Sequence, residues 1–133
     1  MFGIEMPVTT VVAALTGLLL VVVSYRVAIH RLKNRIEIGT GGDTQLERLI
    51  RVQGNLTEYA PITLILLGLL EIHGVDQTIL ISLGVVFVGA RLAHAHGFGT
   101  KPGKNPGRFY GMIATWLVIL VASGLAIHSA LLG

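Results

Sequence analysis

Cysteine is absent from this chain of 133 residues. Disulfides, thiolate metal sites and a cysteine nucleophile are thereby excluded, so any thiol chemistry has to arrive with a ligand. Charge is scarce as well: 13% of the residues are Asp, Glu, Lys or Arg, whereas 53% are hydrophobic and the mean hydropathy is +0.76. One small soluble core cannot hide that much apolar surface, so the composition is that of a membrane protein. No basic residue precedes the first apolar run and a basic cluster follows it, the reverse of a secretory signal peptide. That run is expected to stay in the mature protein. The loop glycines follow no strand and lead into no Gly-Lys-Ser/Thr ending, which makes them turns rather than a phosphate cradle. His94 and His96, two apart, point to different faces of a helix with no acidic residue nearby in sequence, so no metal is expected. The sequence pI of about 9.7 does not imply nucleic acid, because the basic residues are few and a membrane accounts for their placement.

What the chain has instead is long apolar runs. A bilayer helix needs about 20 mostly apolar residues. Four stretches are candidates: Pro7 to Ile29, Leu56 to Ile72, Thr78 to Ala90 and Phe109 to Leu132. The third is short, so its helix is expected to continue past Arg91, whose head reaches toward the headgroups while its stem stays buried. The expected fold is an all-α integral membrane four-helix bundle, a single domain over residues 1–133 with spans near 7–30, 45–73, 77–96 and 108–132. All ten basic residues (Arg26, Arg31, Lys33, Arg35, Arg48, Arg51, Arg91, Lys101, Lys104 and Arg108) fall at or near one face if both termini lie outside. Glu5, Glu71 and Asp76 then lie outside, and the positive-inside rule puts the two basic loops in the cytoplasm.

Local punctuation agrees with four helices. Pro7 suits a first helical turn, Thr44-x-x-Glu47 has capping-box spacing, His73-Gly74 reads as a helix end and Asp76 as the next N-cap. The inner loops are expected at 34–43 and 97–107. Small residues at helical spacing, as at Gly111 and Thr115 or Ala122, Ala126 and Ala130, permit close helix contact in lipid.

The second helix carries the chemistry. Asn55 follows Arg51 by four residues, and Glu58 and Tyr59 follow Asn55 by three and four, so the four form one polar stripe at the mouth of a span. A charge at the centre of a bilayer helix costs about 2.5 to 3.5 kcal/mol on the mildest scales, so Arg51 and Glu58 have to face protein, water or a ligand. Seven residues separate them, about 10 Å along the axis, which is expected to be too far for a direct ion pair within the helix. One arrangement pairs Arg51 with Glu47 one turn earlier and leaves Glu58 protonated or bonded to a neighbouring helix. The other is a ligand site, since an extended tripeptide also spans about 10 Å.

The run Arg51-x-Gln53-x-Asn55-x-x-Glu58-Tyr59-x-Pro61, with Ala90-Arg91-Leu92, resembles the MAPEG membrane proteins of eicosanoid and glutathione metabolism, which include microsomal glutathione transferases and leukotriene synthases. The resemblance implies a homotrimer of four-helix subunits that binds glutathione between neighbours near the cytosolic face. Arg51 would then hold a glutathione carboxylate, Gln53 and Asn55 the peptide and Glu58 the amino group, with Tyr59 beside it. Gln53 lies on a different side of the helix from Arg51, which a site between subunits relieves. Arg31 matches a position where the family tends to place a basic ligand contact, and Arg91 is a further contact to ligand or protein. The leukotriene-forming branch has a tyrosine pair near the end of the third helix, where this chain has His94 and Phe98. Those tyrosine roles do not carry over. Arg108 is the candidate for stabilising the thiolate, with Lys104 second, against the plainer reading of Arg108 as an inner-face anchor. His94 either orients substrate and relays a proton or is a wet helix-end group, and solvation accounts for His30, His73 and His128.

The function so implied is a glutathione-dependent transferase or peroxidase. Glutathione is the co-substrate, no metal takes part, and a lipophilic electrophile or lipid hydroperoxide arrives from the bilayer. Two other classes compete: a small multidrug-type transporter and a non-catalytic member of the same fold. The transporter expectation is an acid in the first span, where this chain has none.

Overall fold

The computed structural model describes residues 3–100 and 105–133, and of residues 98–100 the backbone alone. Four helices follow one another: α1 (Pro7–Asn34), α2 (Thr44–Ile72), α3 (Gln77–Thr100) and α4 (Pro106–Leu132). All four are long and apolar enough to cross a membrane. Among the described residues α2 and α3 each touch all the other helices, whereas α1 and α4 do not meet. The central pair accordingly buries 39% and 44% of its most apolar stretch, against 17% and 22% for the flanking α1 and α4. Val52, Leu56, Leu67, Leu70, Phe87 and Val118 form the centre of the core.

The helix ends show how the sequence sets these lengths. Met6 offers α1 no side-chain cap, and Pro7 begins the first turn. The cap comes from the far end of α2, where the two carboxylate oxygens of Glu71 accept from the backbone N–H of Val8 at 2.9 Å and of Thr9 at 2.8 Å. An anion on the free amides of a helix N-terminus satisfies donors and complements the dipole. Glu71→Ala is therefore expected to destabilise the protein by about 1–2 kcal/mol, and Glu71→Gln by less, because an amide oxygen still accepts. Thermal unfolding of the three proteins in one detergent checks the order.

At the other end of α2, Val75 N–H reaches Leu70 O at 3.1 Å across Gly74, whose φ of 74° is the left-handed position of a Schellman turn. Asp76 begins α3, accepting from Thr78 N–H at 2.8 Å. The cap of α2 lies one residue before the expected capping box: Asp43, not Thr44, accepts from Leu46 N–H at 2.9 Å. Thr44 is already helical.

The second inner connection is shorter than expected. Gly97 does not open a loop, because α3 continues to Thr100 and α4 starts at Pro106. The glycine serves close approach instead. Asn105 Nδ2 donates to Gly97 O at 2.6 Å, and a Cβ on Gly97 would come within 3.1 Å of Arg108 N. The same device recurs along α4, where a Cβ on Gly107 would lie 2.6 Å from Ala93 O and one on Gly111 2.6 Å from Ala90 O. These two glycines, one turn apart, let the α3 and α4 backbones meet, as small residues do in lipid.

Candidate functional site

The α1–α2 loop fixes the first site residue. Arg31 donates to Gly39 O at 2.9 Å and to Ile36 O at 3.4 Å, holding the loop against the end of α1. Beside it His30 Nε2 lies 2.8 Å from Asp43 Oδ2, so His30 has a protein partner and not solvation alone. Leu46 N–H, followed by His30, holds the Asp43 carboxyl below its ordinary value of 3.8. A carboxyl lowered on folding stabilises above the unfolded value and loses that contribution as pH falls through the folded one. Cleavage of the 36–43 loop by an acid-active protease is thus expected to stay flat from neutrality to about pH 4 and to rise below the ordinary carboxylate range. Asp43→Asn, which keeps the cap acceptor without the titration, should flatten that rise.

About two turns into α2, the charged pair corrects the sequence expectation. Arg51 Nη1 and Nη2 both reach Glu58 Oε1 at 3.5 Å, within one helix. Arg51 does not turn back to Glu47. Side chains on a helix lean toward its N-terminus, which brings the Glu58 carboxylate back over Gly54 while the longer Arg51 chain extends to meet it. Gly54 leaves the path open: a Cβ there would sit 3.4 Å from Arg51 Nη1 and 3.9 Å from Glu58 Oε1. Both side chains are about half exposed, at 51% and 53%, and such a pair is worth about 0–1 kcal/mol.

The remaining members of the stripe turn inward. Asn55 Oδ1 accepts a short hydrogen bond from Arg91 Nη2 of α3, and the Tyr59 hydroxyl accepts from Trp116 Nε1 of α4 at 3.2 Å. Gln53 faces the other way, donating to Ser24 Oγ of α1 at 2.9 Å. The stripe therefore splits into an outer charged pair and an inner amide and phenol, with Gln53 apart from both.

Arg91 departs furthest from expectation. Its guanidinium does not reach for headgroups; the residue is 2% exposed. Nη1 donates to Thr115 Oγ1 at 3.3 Å and lies 3.9 Å from Met112 Sδ. Nine further helical residues separate Arg91 from the end of α3, so its side chain finds partners on α2 and α4 sooner than water. Asn55, Thr115 and Met112 are all neutral, and no carboxylate lies within ion-pair distance of Arg91 among the described residues. His94, one turn on, is likewise 2% exposed and is not a wet helix-end group. Gly111 gives it room, since a Cβ there would stand 2.9 Å from His94 Cβ.

Arg108 is exposed at the start of α4 and lines a cleft of about 600 Å³ with Asn105, Phe109, Tyr110 and Met112. Asn105 caps that helix, accepting from Gly107 N–H at 2.9 Å. Lys104 and the Phe98 side chain lie outside the described residues. Thus Arg51 meets Glu58 and Asn55 meets Arg91, whereas Arg31, Gln53 and Arg108 stand in separate settings within one subunit. Thr115, read from sequence as a packing residue, also accepts from the buried cation. Trp116, the single tryptophan, carried no signal beyond its type.

Residues 9–128 match a family model described as MAPEG family. The chain belongs to the MAPEG family. It is also 34% identical over 114 residues to the Inner membrane protein YecN of Escherichia coli strain K12, a match that covers 86% of each chain. The protein of the same name from Escherichia coli O6:H1 matches to the same extent. With four spans of its own and a relative named as an inner membrane protein, this MAPEG chain is a multi-pass integral membrane protein. On α2 of this MAPEG chain a half-exposed guanidinium and carboxylate lie beside one amide, Asn55, which bonds the buried Arg91, and one phenol, Tyr59.

Proposed function

We propose that the protein is a membrane-bound glutathione transferase, with glutathione-dependent peroxidase chemistry open to the same site. The observation that carries this reading is the Arg51–Glu58 pair, opposite charges half exposed on a membrane helix and joined only at 3.5 Å. A zwitterionic tripeptide offers each of them a closer partner: a carboxylate for the planar fork of Arg51 and an ammonium for Glu58. Asn55 and Gln53 serve the peptide groups, Tyr59 lies alongside, and Arg31 adds a cation from the loop end. Arg91 and His94 sit behind this surface, and Arg91 orients Asn55. Because Gln53 and Arg51 face different ways, the complete site lies between subunits of a homotrimer, each ligand drawing on two copies.

The enzyme supplies charge and position rather than a nucleophile of its own. A guanidinium beside the bound thiol, Arg108 in this assignment, favours the thiolate as it does for a protein cysteine. In conjugation the sulfur forms one bond to an electrophilic carbon, and the displaced group leaves with its electron pair or the opened ring takes up a proton. In the peroxidase reaction two glutathiones and one lipid hydroperoxide give the disulfide, the alcohol and water. With both termini outside and the basic loops cytoplasmic, glutathione enters from the cytoplasm and the apolar substrate through the bilayer.

Purified protein in detergent is expected to bind glutathione and to show the ultraviolet absorbance of a thiolate, and Arg51→Ala should remove both. Unchanged binding in that variant would remove the assignment. Binding without turnover would select a non-catalytic member of the family. Proton-driven uptake of a cationic dye into proteoliposomes, lost in Glu58→Gln, would select a transporter.

A further inference from the structure

A glycine inside a helix is destabilising relative to alanine, so its place there calls for a physical cause. Gly84, Gly107 and Gly111 have one: a Cβ on each would come within 2.6 Å of an atom of a neighbouring helix. Gly54 of α2 has no such neighbour. Apart from the helix backbone itself, the Cβ position of Gly54 has within 4 Å only the tips of two side chains of α2, Arg51 Nη1 at 3.4 Å and Glu58 Oε1 at 3.9 Å. Among the described helical glycines no other is flanked in this way by opposite charges.

That open position decides what Arg51 and Glu58 can do to each other. They stand three residues before Gly54 and four after it, on one face of the helix. The Arg51 side chain has to pass over position 54 to bring both Nη atoms to Glu58 Oε1 at 3.5 Å. A β-branched side chain at 54 would lean toward the helix N-terminus, across that path. With glycine the path is free, and a ligand has to part the two charges before it can use either.

We propose that Gly54 is a positioning residue of the α2 site. By admitting the Arg51–Glu58 contact it makes that contact an internal competitor of glutathione, and so holds the affinity of the site down. The inference rests on the glutathione reading given above and adds to it what sets the strength of binding.

Titration calorimetry with glutathione on detergent-purified protein tests it. Gly54→Val is expected to bind about two- to fivefold more tightly than the wild type, as suits removal of an exposed ion pair that binding would otherwise break. In the Glu58→Gln background no ion pair is left to break, so adding Gly54→Val should leave affinity where Glu58→Gln alone puts it. A gain that came from helix propensity or from new packing against the ligand would persist in that background. Gly54→Ala, whose Cβ has no contact closer than 3.4 Å, should shift affinity the same way by less, and it decides the matter if Gly54→Val does not yield monodisperse protein. Unchanged or weaker binding in the folded glycine variant overturns the proposal, as does a gain that survives Glu58→Gln. Those results, with wild-type protein that binds glutathione, bring down this inference alone. A wild type that binds no glutathione brings down the functional reading and this inference together.

Discussion

Gly111→Val is expected to leave little folded protein. The new Cβ would stand 2.6 Å from Ala90 O, 2.9 Å from His94 Cβ and 3.1 Å from His94 N, two of the three being backbone atoms of α3 that cannot swing aside. Overpacking of this kind costs about 1–3 kcal/mol where the structure yields. Here yielding has a second consequence. Moving α4 off α3 takes Thr115 Oγ1 away from Arg91 Nη1, and a buried charged donor that loses its acceptor costs at least about 1–3 kcal/mol more. The sum approaches the marginal stability of a small protein. Gly111→Ala carries the same Cβ and should also be strongly destabilising, whereas Gly124→Ala, where a Cβ meets nothing within 4 Å, should be neutral or stabilising by up to about 1 kcal/mol. Thermal unfolding in detergent and the monodisperse yield of the three variants measure the contrast. Equal behaviour of positions 111 and 124 would mean that α3 and α4 do not cross at the glycine.

The four spans were legible because lipid makes a single demand, about 20 apolar residues in a row, and the sequence meets it four times. The outer turn was legible for a similar reason: His73-Gly74 and Asp76 are local signals whose geometry depends on few other residues. The inner connection was read too long because Gly97 has two physical uses. A glycine that opens a loop and one that lets another backbone approach look the same in sequence, and only the position of Asn105 and Arg108 tells them apart.

The polar stripe of α2 was legible as a helix face and misread in its contacts. Helical spacing placed Arg51, Asn55, Glu58 and Tyr59 on one stripe, but spacing measures Cα positions and not the reach of side chains. It therefore missed the Arg51–Glu58 contact across Gly54. Arg91 was read as snorkelling because a cation in an apolar run ordinarily does so. What overrode that tendency was Asn55 on α2 and Thr115 on α4, each more than twenty residues away in sequence. The wet helix-end alternative for His94 failed for the same reason: its burial depends on Gly111, which one helix alone does not disclose.

Arg108→Ala should separate the two tasks that the proposed site assigns to its cations. If Arg51 binds a carboxylate that is charged throughout the reaction, its loss weakens ground state and transition state alike and appears as weaker glutathione binding. If Arg108 faces the sulfur, its loss is felt only by the thiolate. Turnover is then expected to fall by about 10² to 10³, the usual effect of removing one preorganised donor, with little change in glutathione affinity. Arg108 stands in the first turn of α4, behind the Asn105 cap, where the positive end of the helix dipole adds to its charge. The cleft that it lines with Phe109, Tyr110 and Met112 is largely apolar, so a thiolate there has few other stabilising groups. The bound thiol of Arg108→Ala should accordingly ionise at higher pH than that of the wild type, read from thiolate absorbance against pH, and Arg108→Lys should restore part of the shift. A parallel loss of affinity and turnover with an unmoved thiol titration would assign the sulfur to another cation and leave Arg108 as a membrane anchor.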